Sequence, residues 1–190
     1  MTDELLLEPG TLLAAWPDLM DPNFMHTVLV LCRHTEEGAF GFVTNRRTEF
    51  TVADLLPDHE LLAHSSFPVH LGGPVDHSTL QFLHTLPDRI PGGVQVTGEL
   101  MLGGDLDALA RALDELGDDA GARVRLLLGY SGWGAGQLEG ELRSGSWIPA
   151  PHTPSAIFGP EGEDQWRRVV RSSGVVGEDL GNQPPDVSWN

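Results

Sequence analysis

Apolar residues along the chain fall into two kinds of run. The first is short, dense and rich in β-branched residues. "HTVLVLCRH", His26 to His34, is continuous enough to be a buried strand. "TEEG" (Thr35–Gly38) reads as a hairpin loop and "AFGFVTN" (Ala39–Asn45) as the returning strand. Before them, Leu12–Trp16 is a short apolar segment closed by Pro17, and "DPNF" (Asp21–Phe24) favours a type I turn because Pro presets φ at the second position. "FPVHLGGPV" (Phe67–Val75) predicts a strand ending on a Gly-Gly-Pro turn. "LQFLHTL" (Leu80–Leu86), Val94–Val96 and Arg123–Gly129 predict three more strands.

The second kind of run has helical spacing. Leu106, Leu109, Ala110, Leu113 and Leu116 share one helix face, with Asp105 and Asp107 in the first turn and Gly117 as the stop. "TVAD" (Thr51–Asp54) is a capping-box pattern opening a helix that Pro57 keeps short. Gln137–Leu142 starts a short helix. A last one spans about Gly162 to Ser172, with Glu163 and Asp164 first, Arg167, Arg168 and Arg171 late, and Trp166, Val169 and Val170 on its apolar side. Strands cluster early and helices mix with strands later, which predicts an α+β class rather than a doubly wound sheet. The expected organisation is one domain over residues 1–173 and a loosely held tail over 174–190.

Composition narrows the partners. At 190 residues the chain suits one domain that buries roughly 70% of its unfolded surface. With 11 Lys+Arg against 28 Asp+Glu, the formal charge is −17. That balance opposes direct nucleic-acid binding and binding to an anionic membrane, both of which draw on basic residues. Cys32 is the one cysteine, so no internal disulfide forms, as in a reducing compartment. "MTDELLLEPG" lacks the basic start and long apolar core of a secretory signal, and no apolar run approaches a bilayer span. The expected location is the cytoplasm.

The chemistry question centres on "RLLLGYSGWGAGQLEGEL", Arg125 to Leu142, which reads as strand, turn, helix. A nucleophile elbow has that layout but needs G-x-S-x-G, and Trp133 stands at the second glycine. The stretch is therefore read as a turn, with a ligand-contacting loop as the alternative. G-x-G-x-x-G fails at Gln137, and no P-loop lysine is present. His70, His77 and His84 recur every seven residues, but Gly72, Gly73 and Pro74 exclude a shared helix; no metal-ligand spacing follows, and no metal or cofactor is expected. Cys32 and His34 would share a strand face, where a buried thiol acting as a small hydrophobe is the commoner case.

Taken together, "DPNFMHTVLVLCRHTEEGAFGFVTNR", "DLLP", "HLGGPV", "FLHTL", "GYSGWGAGQLEGEL" and "GSWIPAP…AIF" resemble the AlgH/YqgE family of bacterial proteins, from about Gly10 to Ser172. Arg47 and Ala135 depart from it at loop positions where proline is common. The resemblance implies a single α+β domain whose bifurcated, mostly antiparallel sheet folds into a pseudo-barrel with a few flanking helices. It implies no defined activity. One branch carries a transcriptional-regulator label, which for so acidic a chain points to indirect regulation. The expectation is a non-enzymatic domain that binds a small molecule or a protein. Its ligand contacts are expected at Asn45, Arg46, Tyr130, Trp133 and Gln137, with the strand at His84 alongside. The alternative is a hydrolase acting through Ser131 or a thiol-dependent enzyme acting through Cys32, which would need either residue exposed beside a histidine.

Overall fold

The computed structural model describes residues 7–159 and 161–174. The expected tail lies almost wholly outside them. Ten strands and five α-helices follow in order: β1 (Leu12–Ala15), β2 (Val28–Thr35), β3 (Gly38–Val43), β4 (Arg47–Thr51), α1 (Val52–Leu55), β5 (Pro68–Leu71), β6 (Val75–His84), β7 (Val94–Thr97), β8 (Leu100–Leu102), α2 (Leu106–Leu116), β9 (Val124–Gly134), α3 (Gln137–Arg143), β10 (Trp147–Ala150), α4 (Pro154–Phe158) and α5 (Glu163–Ser172). The class is α+β.

The sheet forks at β9. Its main path runs β10-β1-β2-β3-β9-β6-β8-β7, while β5 also pairs with β9 and carries β4 beside it. Along β9, residues 126–128 lie between antiparallel β6 and parallel β5, and residues 131–134 pair with β3. One strand thus serves two branches, and among the described residues β5 with β9 is the one parallel pairing in an otherwise antiparallel sheet. Val96 of β7 and Ile148 and Ala150 of β10 come from opposite ends of the path yet share one core with Trp166. The sheet curls around that core.

Burial explains the continuous apolar runs. Leu12, Ala14, Val28 and Val30 face the core under α4 and α5, while Leu13, Ala15, Leu29 and Leu31 face a second cluster with Leu138 of α3. Strands covered on both faces need no polar alternation. α2 covers a third cluster with Val69, Leu126 and Val124, using Ala108, Leu109, Ala112 and Leu113. Leu106, placed on its apolar face by spacing, is 37% exposed. Asp105 is the N-cap rather than a first-turn residue, and its carboxylate accepts the Ala108 N–H at 2.7 Å. Asp54 accepts the Thr51 N–H at 2.7 Å, as the capping box requires.

The bounds of β5, β6 and β9 differ from the sequence reading, and β4, β8, β10 and α4 have no counterpart in it. Phe67–Val75 is split: β5 ends at Leu71 and β6 starts at Val75. The glycine pair between them crosses against β9, where a Cβ on Gly72 would lie 2.4 Å from the Gly129 carbonyl oxygen and one on Gly73 would lie 2.3 Å from that of Tyr130. Arg123–Gly129 is too short, because β9 continues to Gly134; Tyr130–Gly134 is strand, not turn, and pairs with β3 through Gly41↔Ser131 and Ala39↔Trp133. The turn is confined to Ala135–Gly136. Finally, α4 was not anticipated. Five residues form no stable helix alone. α4 is held by burying Ile157 and Phe158, worth about 2 kcal/mol each. Among the described residues, no helix is long and apolar enough to cross a membrane.

Candidate functional site

The expected site residues sit in four places. Asn45 is buried and spent on backbone. Its Oδ1 accepts the Val28 N–H at 2.8 Å, and its amide donates to the His26 and Gly162 carbonyls at 3.0 and 2.8 Å. Arg46 clamps the neighbouring turn by donating to the carbonyls of Pro22, Asn23 and Met25 at 2.7–2.9 Å. Trp133 and Gln137 meet at Glu141, which accepts the Trp133 indole N–H at 2.9 Å and the Gln137 amide at 3.1 Å. His84 is fully buried, with Nε2 3.0 Å from the Gly103 carbonyl oxygen and Nδ1 accepting the Leu86 N–H. Burial holds its pKa below the ordinary histidine value. Of the six, Tyr130 borders an open concavity.

That concavity is a cleft of about 530 Å³, lined by the apolar and aromatic residues Phe40, Phe42, Leu102 and Tyr130, the polar residues Asp76, Thr79 and Gln81, and Gly129. Such a volume suits a small molecule. The fork creates it. Between Val75↔Tyr130 and Leu80↔Leu128 the β6–β9 register slips, so Asp76–Thr79 stand opposite Gly129 alone. The bulge takes these four residues out of regular pairing with β9. Gly129 has φ +72°, and a Cβ there would sit 2.8 Å from the Gly73 and Val75 carbonyl oxygens. Asp76 has φ +50°, a conformation a non-glycine residue seldom adopts. Strained backbone of this kind concentrates at functional sites.

The polar lining is pre-set. Asp76 accepts from the Ser78 hydroxyl at 2.6 Å and the Thr79 hydroxyl at 2.5 Å, which holds its carboxyl below the usual carboxylate range. The lining rings pack on one another: Phe40 lies edge-on to Tyr130 at 6.4 Å between centroids and to Phe42 at 6.1 Å. The sequence reading found Tyr130 but not Phe40, Phe42, Asp76, Thr79 or Gln81. A bulge displaces residues out of strand alternation, and nothing in "PVDHSTLQ" (Pro74–Gln81) announces where.

The two catalytic candidates have other surroundings. Ser131 is fully buried and donates to the Gly72 carbonyl at 3.2 Å, its backbone paired with Gly41 of β3. Cys32 occupies the register shift of β2 against β3 and packs on the main core, and burial pushes its thiol up to about 12. Its presumed neighbour His34 is bonded to Glu139 at 2.6 Å. A further hollow of about 670 Å³ lies between the Leu61–Pro68 segment and α2, lined by Arg47, Asp114 and Asp118 among others. Its lining carries a single phenylalanine, Phe67, where the cleft has Phe40, Phe42 and Tyr130. Among the described residues, no three His, Cys, Asp or Glu side chains gather as a metal set.

One buried ionic cluster also escaped the sequence reading. His70 Nε2 lies 2.8 Å from Arg125 Nη1 and 3.0 Å from Glu161 Oε1, and Arg125 pairs with the same oxygen at 3.0 Å. Arg125 also donates to the Ile157 carbonyl at 2.8 Å. Desolvation, with Arg125 beside it, pulls the His70 pKa down to about 4. The cluster ties β5 and β9 to the connection between α4 and α5.

The chain matches an AlgH-like family model over residues 12–177. It is 43% identical over 175 residues to a UPF0301 protein of Chlorobaculum tepidum, covering 92% of this chain and 91% of that one. A UPF0301 protein of Parabacteroides distasonis is 35% identical over 173 residues, covering 90% and 86%. Among solved structures, the AlgH protein of Pseudomonas aeruginosa superimposes with a TM-score of 0.72 at 30% identity, covering 97% of each chain. A protein of Corynebacterium diphtheriae superimposes with a TM-score of 0.75 at 23% identity, covering 93% and 92%, which speaks to the fold alone. The family-model match over residues 12–177, with a relative 43% identical across 92% of the chain, places this protein in the AlgH-like family.

Proposed function

We propose that this protein is a cytoplasmic, non-enzymatic binding domain whose ligand seat is the aromatic cleft between β3 and the β6 bulge. The observation that carries the reading is the juxtaposition of three rings with a fixed carboxylate at a strained, pre-formed concavity. A ligand site needs a hollow built before the ligand arrives. Here Gly129 and Asp76 hold unusual backbone angles to make one. Ser131 is fully buried, and half-buried Cys32 has its thiol pKa raised by burial, which supports the binding reading over the hydrolase and thiol ones. With a formal charge of −17, any regulatory effect would run through the bound ligand or a protein partner rather than through DNA.

A thermal-shift screen of soluble metabolites against the wild type and Tyr130→Ala tests this. A cleft ligand raises the wild-type midpoint through mass action and leaves that of the variant unmoved. Hits that stabilise both proteins equally contradict the assignment of the cleft.

A further inference from the structure

Resting on the cleft as the binding site, we infer that its ligand is a small organic cation, an ammonium or guanidinium group seated against the Phe40, Phe42 and Tyr130 rings and paired with the Asp76 carboxylate. Aromatic faces carry negative potential and attract cations, most strongly where water is partly excluded. Phe42 is 2% exposed, while Phe40 and Tyr130 are half-buried, so the rings offer a sheltered wall. An apolar ligand would need only that wall. The same lining also contains a carboxylate, oriented by two hydroxyls and a backbone N–H.

Among the described residues Asp76 forms no ion pair, and His77 is the basic side chain that acts on its charge. The chain contains no lysine, and none of its described arginines forms an ion pair with Asp76. His77, its neighbour on the bulge, is bonded to the Gly73 carbonyl at 2.8 Å. Asp76 holds this position at φ +50°, a conformation aspartate tolerates better than most residues. Gln81 adds an amide to the same lining, suited to an N–H or hydroxyl of the ligand. The net charge of −17 raises the local concentration of cations and discourages anions. A volume of about 530 Å³ fits a free metabolite-sized amine.

The test titrates the full chain with two matched pairs, choline against 3,3-dimethyl-1-butanol and n-butylguanidine against n-butylurea, following backbone amide shifts. At least one cation is expected to bind tenfold or more tightly than its neutral isostere, with shifts at Phe40, Asp76, Gly129 and Tyr130. Asp76→Asn should lose that tenfold preference while folding normally, since asparagine tolerates positive φ. Tyr130→Leu, a second and independent variant, should weaken both cations and narrow the gap to the neutral ligands. Equal binding of a cation and its isostere at the cleft, or a preference that survives Asp76→Asn, overturns the inference while leaving the cleft as a site. Shifts confined to other surfaces overturn the cleft as well. Tighter binding of a lysine- or arginine-bearing peptide than of the free amines overturns the small-molecule assignment.

Discussion

At the scale of single residues, the family motifs read as polar ties within the fold. Glu141 takes the indole N–H of Trp133 at 2.9 Å, that of Trp147 at 2.8 Å and the Gln137 amide at 3.1 Å. The two indoles meet edge-on at 6.2 Å. Both tryptophans are under 10% exposed, so removing the acceptor strands two donors. Glu141→Ala should cost roughly 2–4 kcal/mol, read as a lower urea midpoint. Glu141→Gln, which keeps an acceptor oxygen, should fall between. A Glu141→Ala midpoint equal to wild type would contradict this role. The sequence places Trp133 among the expected ligand contacts, whereas it packs with Trp147 in a buried cluster. It gave no sign that one carboxylate joins them, because partners six and eight residues apart across a turn follow no helical or strand period.

At the scale of elements, the buried His70–Arg125–Glu161 cluster sets a pH dependence. The folded pKa of His70, about 4, lies below the ordinary value near 6.5. Between those values the unfolded chain binds a proton that the native state refuses, so stability falls as pH drops from about 6.5 to about 4 and the histidine contributes no further change below that. Glu161, whose pKa is also lowered, adds acid sensitivity at still lower pH in the same direction. Chemical denaturation at pH 7 and pH 4.5 should differ by about 2 kcal/mol more in the wild type than in His70→Gln. Parallel pH profiles for the two proteins would contradict this. Periodicity could not find the cluster, because its members come from β5, β9 and the α4–α5 connection and meet only after the sheet forks. Local patterns served better where the element was self-contained. α2 and α5 follow their apolar spacing, and the hairpin of β2 and β3 closes at Thr35↔Gly38 as its loop residues indicate.

At the scale of the whole molecule, the fork at β9 is what the site depends on. Gly72 and Gly73 let β5 and β6 cross against β9; the crossing forces the β6 bulge; the bulge brings Asp76 and Thr79 into one lining with the rings of Phe40, Phe42 and Tyr130. The fold class, most elements and the family were legible in the residues, since they rest on local periodicity and on motif order. The cleft was legible only through Tyr130. Long-range register, which no single stretch encodes, decides what lines the cleft with it.

The most direct test of the account is a map of amide shift changes during titration of a small-molecule fragment library into the isotopically labelled protein. Binding centred on Phe40, Phe42, Asp76–Gln81, Leu102 and Gly129–Tyr130 is the predicted result. Fragments that gather instead in the hollow beside Arg47 and His64, or that leave the cleft amides unmoved, would contradict it.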